Sequence, residues 1–206
     1  MNSKGIHRKP SLAIKLHIAL LLALGFVPAL ACQQDSTPHR ETVVTPYADK
    51  DAYLIYAMLL ESTESPSPVI QAETESWSAA TDEGTGIRGN KAFVKVWGIA
   101  LRDFARQYRN PRLLTQTVPI EAAYELVSKQ KVLDGGWDMF YKLHPSSGGF
   151  FTFSAVGFDS QKTHAIVQMN HRCGLLCGYG KPHFFEKKDG KWREVSVDAS
   201  VTVWVS

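Results

Sequence analysis

Hydrophobic and polar positions follow three different patterns along the chain. Residues 1–17 are polar and basic, and Ile18–Ala31 is an apolar run broken only by Gly25 and Pro28. About 14 apolar residues are too few for a transmembrane helix, which needs roughly 20. They fit the apolar core of a secretory signal, with Ala29 and Ala31 at the −3 and −1 positions of a cut before Cys32. The expected organisation is therefore a signal peptide over 1–31, a flexible tether over 32–46, and one domain over 47–206.

Beyond the tether the pattern takes the helical period. Ile55, Met58 and Leu59, beside a row of Ala52, Tyr56 and Leu60, predict a helix over Tyr47–Leu60. Two prolines interrupt Ser62–Pro68, and Val69–Glu73 reads as a short edge strand. Ser76–Gly89 holds three glycines and reads as a loop. Asn90 is a candidate N-cap for an amphipathic helix with a stripe of Phe93, Trp97, Ala100, Leu101, Phe104 and Tyr108, closed by Pro111. Pro119 falls where the first turn of another helix would start, with Ala122, Ala123, Leu126 and Val127 as its buried face. Asp134-Gly135-Gly136 breaks that helix, and Trp137–Leu143 adds a turn or two.

After Gly149 the period changes to two. Phe151, Phe153 and Ala155 alternate with Thr152 and Ser154, and Ala165, Val167 and Met169 alternate with His164, Gln168 and Asn170. Phe184 and Phe185 mark a third strand. Asp189-Gly190 signals a tight hairpin into a fourth over Trp192–Val197, and Val201, Val203 and Val205 suggest a fifth. Helices followed by hairpin-linked strands predict an α+β fold, with N-terminal helices packed on one face of a C-terminal antiparallel meander of four to five strands.

The 206 residues, 44% hydrophobic and 21% charged, are ordinary for one globular domain. The formal charge of +3 is concentrated in the leader. Without Lys4, Arg8, Lys9 and Lys15, 19 basic side chains face 20 acidic ones. Such a near-neutral body argues against nucleic acid as a partner, since phosphate binding needs a basic face.

Ala29-Leu30-Ala31-Cys32 resembles a bacterial lipoprotein leader, in which a small residue precedes the lipidated Cys. The order departs from the family's, which favours Leu three residues before the Cys and a small residue next. Ordinary signal peptidase could cut the same bond and leave a free thiol. Lipidation of Cys32 accounts for an otherwise odd cysteine in an oxidising space, and the polar segment after it suits a tether. The position after Cys32 carries no acid, which in this resemblance leans toward the outer membrane.

Cys173-Gly174-Leu175-Leu176-Cys177-Gly178-Tyr179-Gly180 is the sharpest local feature. In an exported chain a Cys173–Cys177 disulfide would pin this connection between strands. The rival is a zinc site from His171, Cys173, Cys177 and His183, whose ligand types are acceptable although the usual C-x2-C spacing is missing. A thiol-redox role is a third reading, weakened by C-x3-C in place of C-x-x-C. Ser154 with His164 or His183 and an Asp makes a triad only on paper. Asp134 and Asp138 could imitate a carboxylate pair, but Asp134 suits a turn with Gly135. The aromatic cluster Trp137, Phe140, Tyr141, Phe150, Phe151 and Phe153 reads as core, with a ligand groove as the alternative. No catalytic, cofactor or metal set is assigned.

Trp137-x-x-Phe140, Pro145-x-x-Gly148, Ser154-x-Val156-Gly157-Phe158, Ala165-x-Val167, Cys173-Gly174-x-Leu176-Cys177-Gly178-x-Gly180 and Gly190-Lys191-Trp192 follow one another over about 55 residues. In this order and spacing the run resembles an uncharacterised family of bacterial exported proteins and lipoproteins. Tyr47–Gln71 resembles that family's opening helix and strand more loosely. This chain has Ala155 where a basic residue is expected. The resemblance implies an exported single domain with a trailing antiparallel sheet, and supplies no activity. The sequence thus leads to an envelope protein, lipid-anchored to a membrane through Cys32, with a non-enzymatic binding or structural role toward an envelope protein or small ligand. The alternative is an envelope hydrolase, zinc-dependent or not, using the His171/His183 neighbourhood.

Overall fold

The computed structural model describes residues 44–63, 65–76 and 91–197, and the backbone of 204–205. The signal peptide, Cys32, most of the tether, the 76–89 loop beyond its first residue, the Asn90 cap and Val201 to Val203 lie outside the described residues. Among the described residues the first regular element is strand β1 (Thr45–Tyr47), so Thr45 and Pro46 belong to the fold and not to the tether.

Helix α1 (Lys50–Glu61) keeps the predicted periodicity but starts three residues later than the expected Tyr47, which ends β1. Its N-cap is Asp49, whose side chain accepts from Asp51 N at 3.1 Å. Strand β2 (Val69–Gln71), helix α2 (Lys91–Gln107), strands β3 (Arg112–Leu114) and β4 (Glu125–Val127), and helix α3 (Gly136–Leu143) follow. Then come β5 (Phe150–Phe153), β6 (Gly157–Phe158), β7 (His164–Gly174), β8 (Cys177–Lys188), β9 (Lys191–Glu194) and β10 (Trp204–Val205). The main sheet runs β10-β8-β7-β5-β2-β4, with β6 on β7 and β9 on β8. A separate parallel pair joins β1 to β3.

The fold is α+β, but its sheet is mixed and not an antiparallel meander. β2 runs parallel to both β4 and β5, while β5, β7, β8 and β9 are antiparallel in succession. β2 was expected at an edge and lies inside, with all three residues buried. The helix expected after Pro119 does not form. Ala122 and Ala123 are exposed, and β4 instead lines the sheet edge, where Glu125 N donates to Pro68 O at 3.0 Å and Ala72 N to Val127 O at 2.8 Å. Pairing along the sheet outweighs the modest helical preference of that stretch.

The helices also cover both faces and not one. From α1, Ile55, Tyr56 and Leu59 share a cluster with Phe151, Phe153, Ala165, Val167 and Phe185. From α2, Phe93, Trp97, Ala100 and Phe104 pack with Ile166 and Phe184. Neighbouring strand residues point to opposite faces, so Phe184 and Phe185 place these helices on opposite sides. On the α2 side, Phe140 of α3 packs with Val69 and Phe150. A sheet covered on both faces has little use for alternation, and all of β5 is buried.

Tyrosines tie α1 into place. Tyr56 OH donates to Ser154 O at 2.8 Å, Tyr53 OH to Tyr47 O at 2.9 Å, and Tyr47 OH accepts from Val156 N at 3.0 Å. Burial pushes the Tyr56 and Tyr47 hydroxyls far above their ordinary range, so they remain neutral donors. Lys162, at φ 51°, reaches the α1 cap and meets both Asp49 carboxylate oxygens at 2.7 and 2.9 Å.

Candidate functional site

β7 and β8 form one long hairpin whose end carries the cysteines. Pairing is regular from His164↔Glu186 to Arg172↔Gly178, then shifts so that Gly174 faces Cys177 and Cys173 has no opposite residue. Cys173 is thus a bulge. Tyr141 OH of α3 donates to its carbonyl at 2.8 Å. Cys173 and Cys177 form a disulfide with their Cα atoms 5.0 Å apart, inside the usual range. Closing so short a loop stabilises by about 2 kcal/mol in the chain-entropy model. The turn is left to Leu175 and Leu176, which are 88% and 87% exposed. Two leucines held almost wholly in water at a covalently pinned turn are the least compensated apolar groups among the described residues.

The four residues of the zinc reading are not brought together as ligands. The sulfurs are bonded to each other. His171 stacks on Phe151 with centroids 4.6 Å apart and lies 5.3 Å from Tyr179. His183 pairs in register with Val167, four residues along β7 from His171. Its Nδ1 is 2.7 Å from Glu194 Oε1, and its Nε2 is buried without a hydrogen-bond partner. Burial pulls both imidazoles below their usual range, for His183 against the opposing pull of Glu194. Among the described residues no group of three or more His, Cys, Asp or Glu is placed to hold a metal.

The triad and carboxylate readings dissolve in the same way. Ser154 Oγ accepts from Gln168 N at 2.9 Å, and His164 Nδ1 is 2.9 Å from Asp159 Oδ2. Asp134 sits in a turn, its N–H on Lys131 O at 3.1 Å. Phe140, Phe150, Phe151 and Phe153 are buried core, and Trp137 stacks on Phe150 at 5.7 Å.

A cavity of about 550 Å³ lies where α2, β6 and the α1 cap meet, lined by Asp49, Arg102, Asp103, Arg106, Asp159 and Lys162 among others. Its acids already have partners. Asp103 pairs with Arg106 and accepts from Phe158 N at 2.9 Å, and Lys162 holds Asp49. Burial alone would raise the Asp159 carboxyl; hydrogen bonds from Thr163 and His164 outweigh it and bring the pKa to about 2. A second cavity of about 510 Å³ borders Lys181, Pro182, His183, Glu194 and Ser196.

One polar cluster was not foreseen. Gln168 Nε2 donates to Asn170 Oδ1 at 2.7 Å, and Asn170 Nδ2 donates to Thr152 Oγ1 at 3.2 Å and to Glu75. Arg172 lies 3.7 Å from the other Glu75 oxygen. Burial, with Glu75 nearby, pushes the Tyr108 hydroxyl up to about 12. The signal was present in the polar positions of two strands, Thr152 with Ser154 and Gln168 with Asn170, which periodicity alone does not separate from a solvent face.

No family model matches this chain, and neither the curated proteins nor the solved structures yield a match. Among the described residues no helix is long and apolar enough to cross a membrane.

Proposed function

We propose that the chain is an exported bacterial envelope protein, anchored by a lipid on Cys32, whose α+β domain works by binding and not by catalysis. The observation that carries the reading is the Cys173–Cys177 disulfide at the end of the β7–β8 hairpin. Such bonds persist in oxidising compartments and are rare in the cytosol. The leader pattern ending at Cys32 supports the same address. So does the resemblance of the run from Trp137 to Trp192 to exported proteins and lipoproteins. The polar groups around the first cavity are engaged with one another, as in a folded scaffold. Among the described residues, the exposed Leu175 and Leu176 at the hairpin end are free to meet a partner.

Fractionation in a bacterial host tests the address. The wild-type chain is expected to stay in the membrane fraction through a high-salt wash, and Cys32→Ser to be released by that wash as a periplasmic protein. Uncleaved wild-type protein in the cytosol would refute the proposal.

A further inference from the structure

We propose that the Leu175–Leu176 turn is a membrane-contact element that inserts into the surface of an anionic phospholipid bilayer, acting beside the lipid on Cys32. The inference rests on the anchor reading for its setting and on two separate observations for its content.

The first is shape and area. The turn presents two leucines, 88% and 87% exposed, at the end of the β7–β8 hairpin. A stable protein interface needs about 800 Å² from each partner, mostly from a broad patch. Two side chains on a turn fall far short of that, whereas a bilayer accepts a small apolar protrusion by closing round it. The disulfide and the Tyr141–Cys173 hydrogen bond fix the turn, so little ordering remains to be done on insertion.

The second is charge and flanking chemistry. Residues 160–185 contain no Asp or Glu, while Lys162, Arg172 and Lys181 are basic. Arg172 and Lys181 flank the turn, Arg172 with its ion pair to Glu75 and Lys181 exposed. Tyr179, 43% exposed, stands between the turn and Lys181, and Tyr141, 36% exposed, is bonded to the base of the turn. Apolar tip, then tyrosine, then lysine is the order in which acyl chains, interface and anionic headgroups receive side chains.

An acyl anchor and an inserted turn reinforce each other as two weak membrane signals.

The test uses the exported chain carrying Cys32→Ser, so that no acyl group contributes. In flotation with phosphatidylcholine–phosphatidylglycerol vesicles this protein is expected to bind, more weakly on phosphatidylcholine alone. Leu175→Ser with Leu176→Ser is expected to lower binding by at least about tenfold. Both side chains are exposed, so the fold should survive the change. Leu176→Trp should shift its emission to the blue when vesicles are added. Failure of the Cys32→Ser protein to float, equal binding by the double serine variant, or association only when envelope proteins are included would each overturn the proposal. The last outcome would assign the turn to a protein partner. An unmodified Cys32 in the native chain would remove the anchor reading and leave these readouts intact, so the two failures are distinguishable.

Discussion

His183 is a buried imidazole whose Nδ1 edge meets Glu194 and whose Nε2 meets nothing that can accept a proton's hydrogen bond. Charging it would add a donor with no acceptor, so burial holds its pKa below the ordinary value near 6.5 even with Glu194 attracting the proton and Lys181 opposing it. The half-buried His171 shifts the same way. Above the ordinary value both folded and unfolded chains are neutral at these sites. As pH falls through about 6.5 the unfolded chain takes up protons that the folded chain refuses, and stability drops, by at most about 1.4 kcal/mol per pH unit for each group. Asp159 works in another window. Its pKa of about 2 lies below the usual carboxylate value, so its contribution holds above about 4 and is lost only as pH falls toward 2. Urea unfolding at about pH 7.5 and pH 5.5 should therefore show a lower midpoint at the acid value. His183→Gln should shrink the difference, and a wild-type midpoint that does not move would refute the account of His183. At this scale the cysteines were legible, because their spacing, read together with an expected export leader, implies the staple that forms. His183 was not, because no local pattern shows that its second nitrogen lacks a partner.

Short elements depend on what lies beside them more than on their own residues. β6 is two residues long and pairs with β7, yet its place is fixed by α2, because a Cβ on Gly157 would stand 2.2 Å from Phe104 N and 2.3 Å from Phe104 Cα. Those are backbone atoms of a helix and cannot rotate away. Asp103, one residue earlier, accepts from Phe158 N and completes the contact. Gly157→Ala should cost about 1–3 kcal/mol in denaturant unfolding, while Gly148→Ala, with nothing within 4 Å of its new Cβ, should change little. Equal stabilities for the two variants would contradict this packing. The long elements were readable from periodicity: α2 and the Asp189-Gly190 turn fall where the patterns place them, and α1 does so apart from its first turn, where Tyr47 belongs to β1. β4 was not, since Leu126 and Val127 satisfy a helical face on paper and a strand in fact, facing two different clusters.

On the scale of the whole molecule, the departure from expectation lies in how the sheet is assembled. Hairpin signals reveal antiparallel neighbours, and Asp189-Gly190 located the β8–β9 pair. Parallel pairs leave no such signal, because β2 meets β4 and β5 only after long crossovers. That crossing brings α2 and α3 to the face opposite α1. The central claim joins both ends of the chain's chemistry: export, a lipid at Cys32 and a closed bond between Cys173 and Cys177. Intact-mass analysis of the protein extracted from native membranes without reductant tests all three at once. The account predicts a chain that starts at Cys32, carries acyl mass on that residue, and is two hydrogens lighter than its reduced form. A chain still bearing residues 1–31, without acyl mass and with both thiols free, would contradict it.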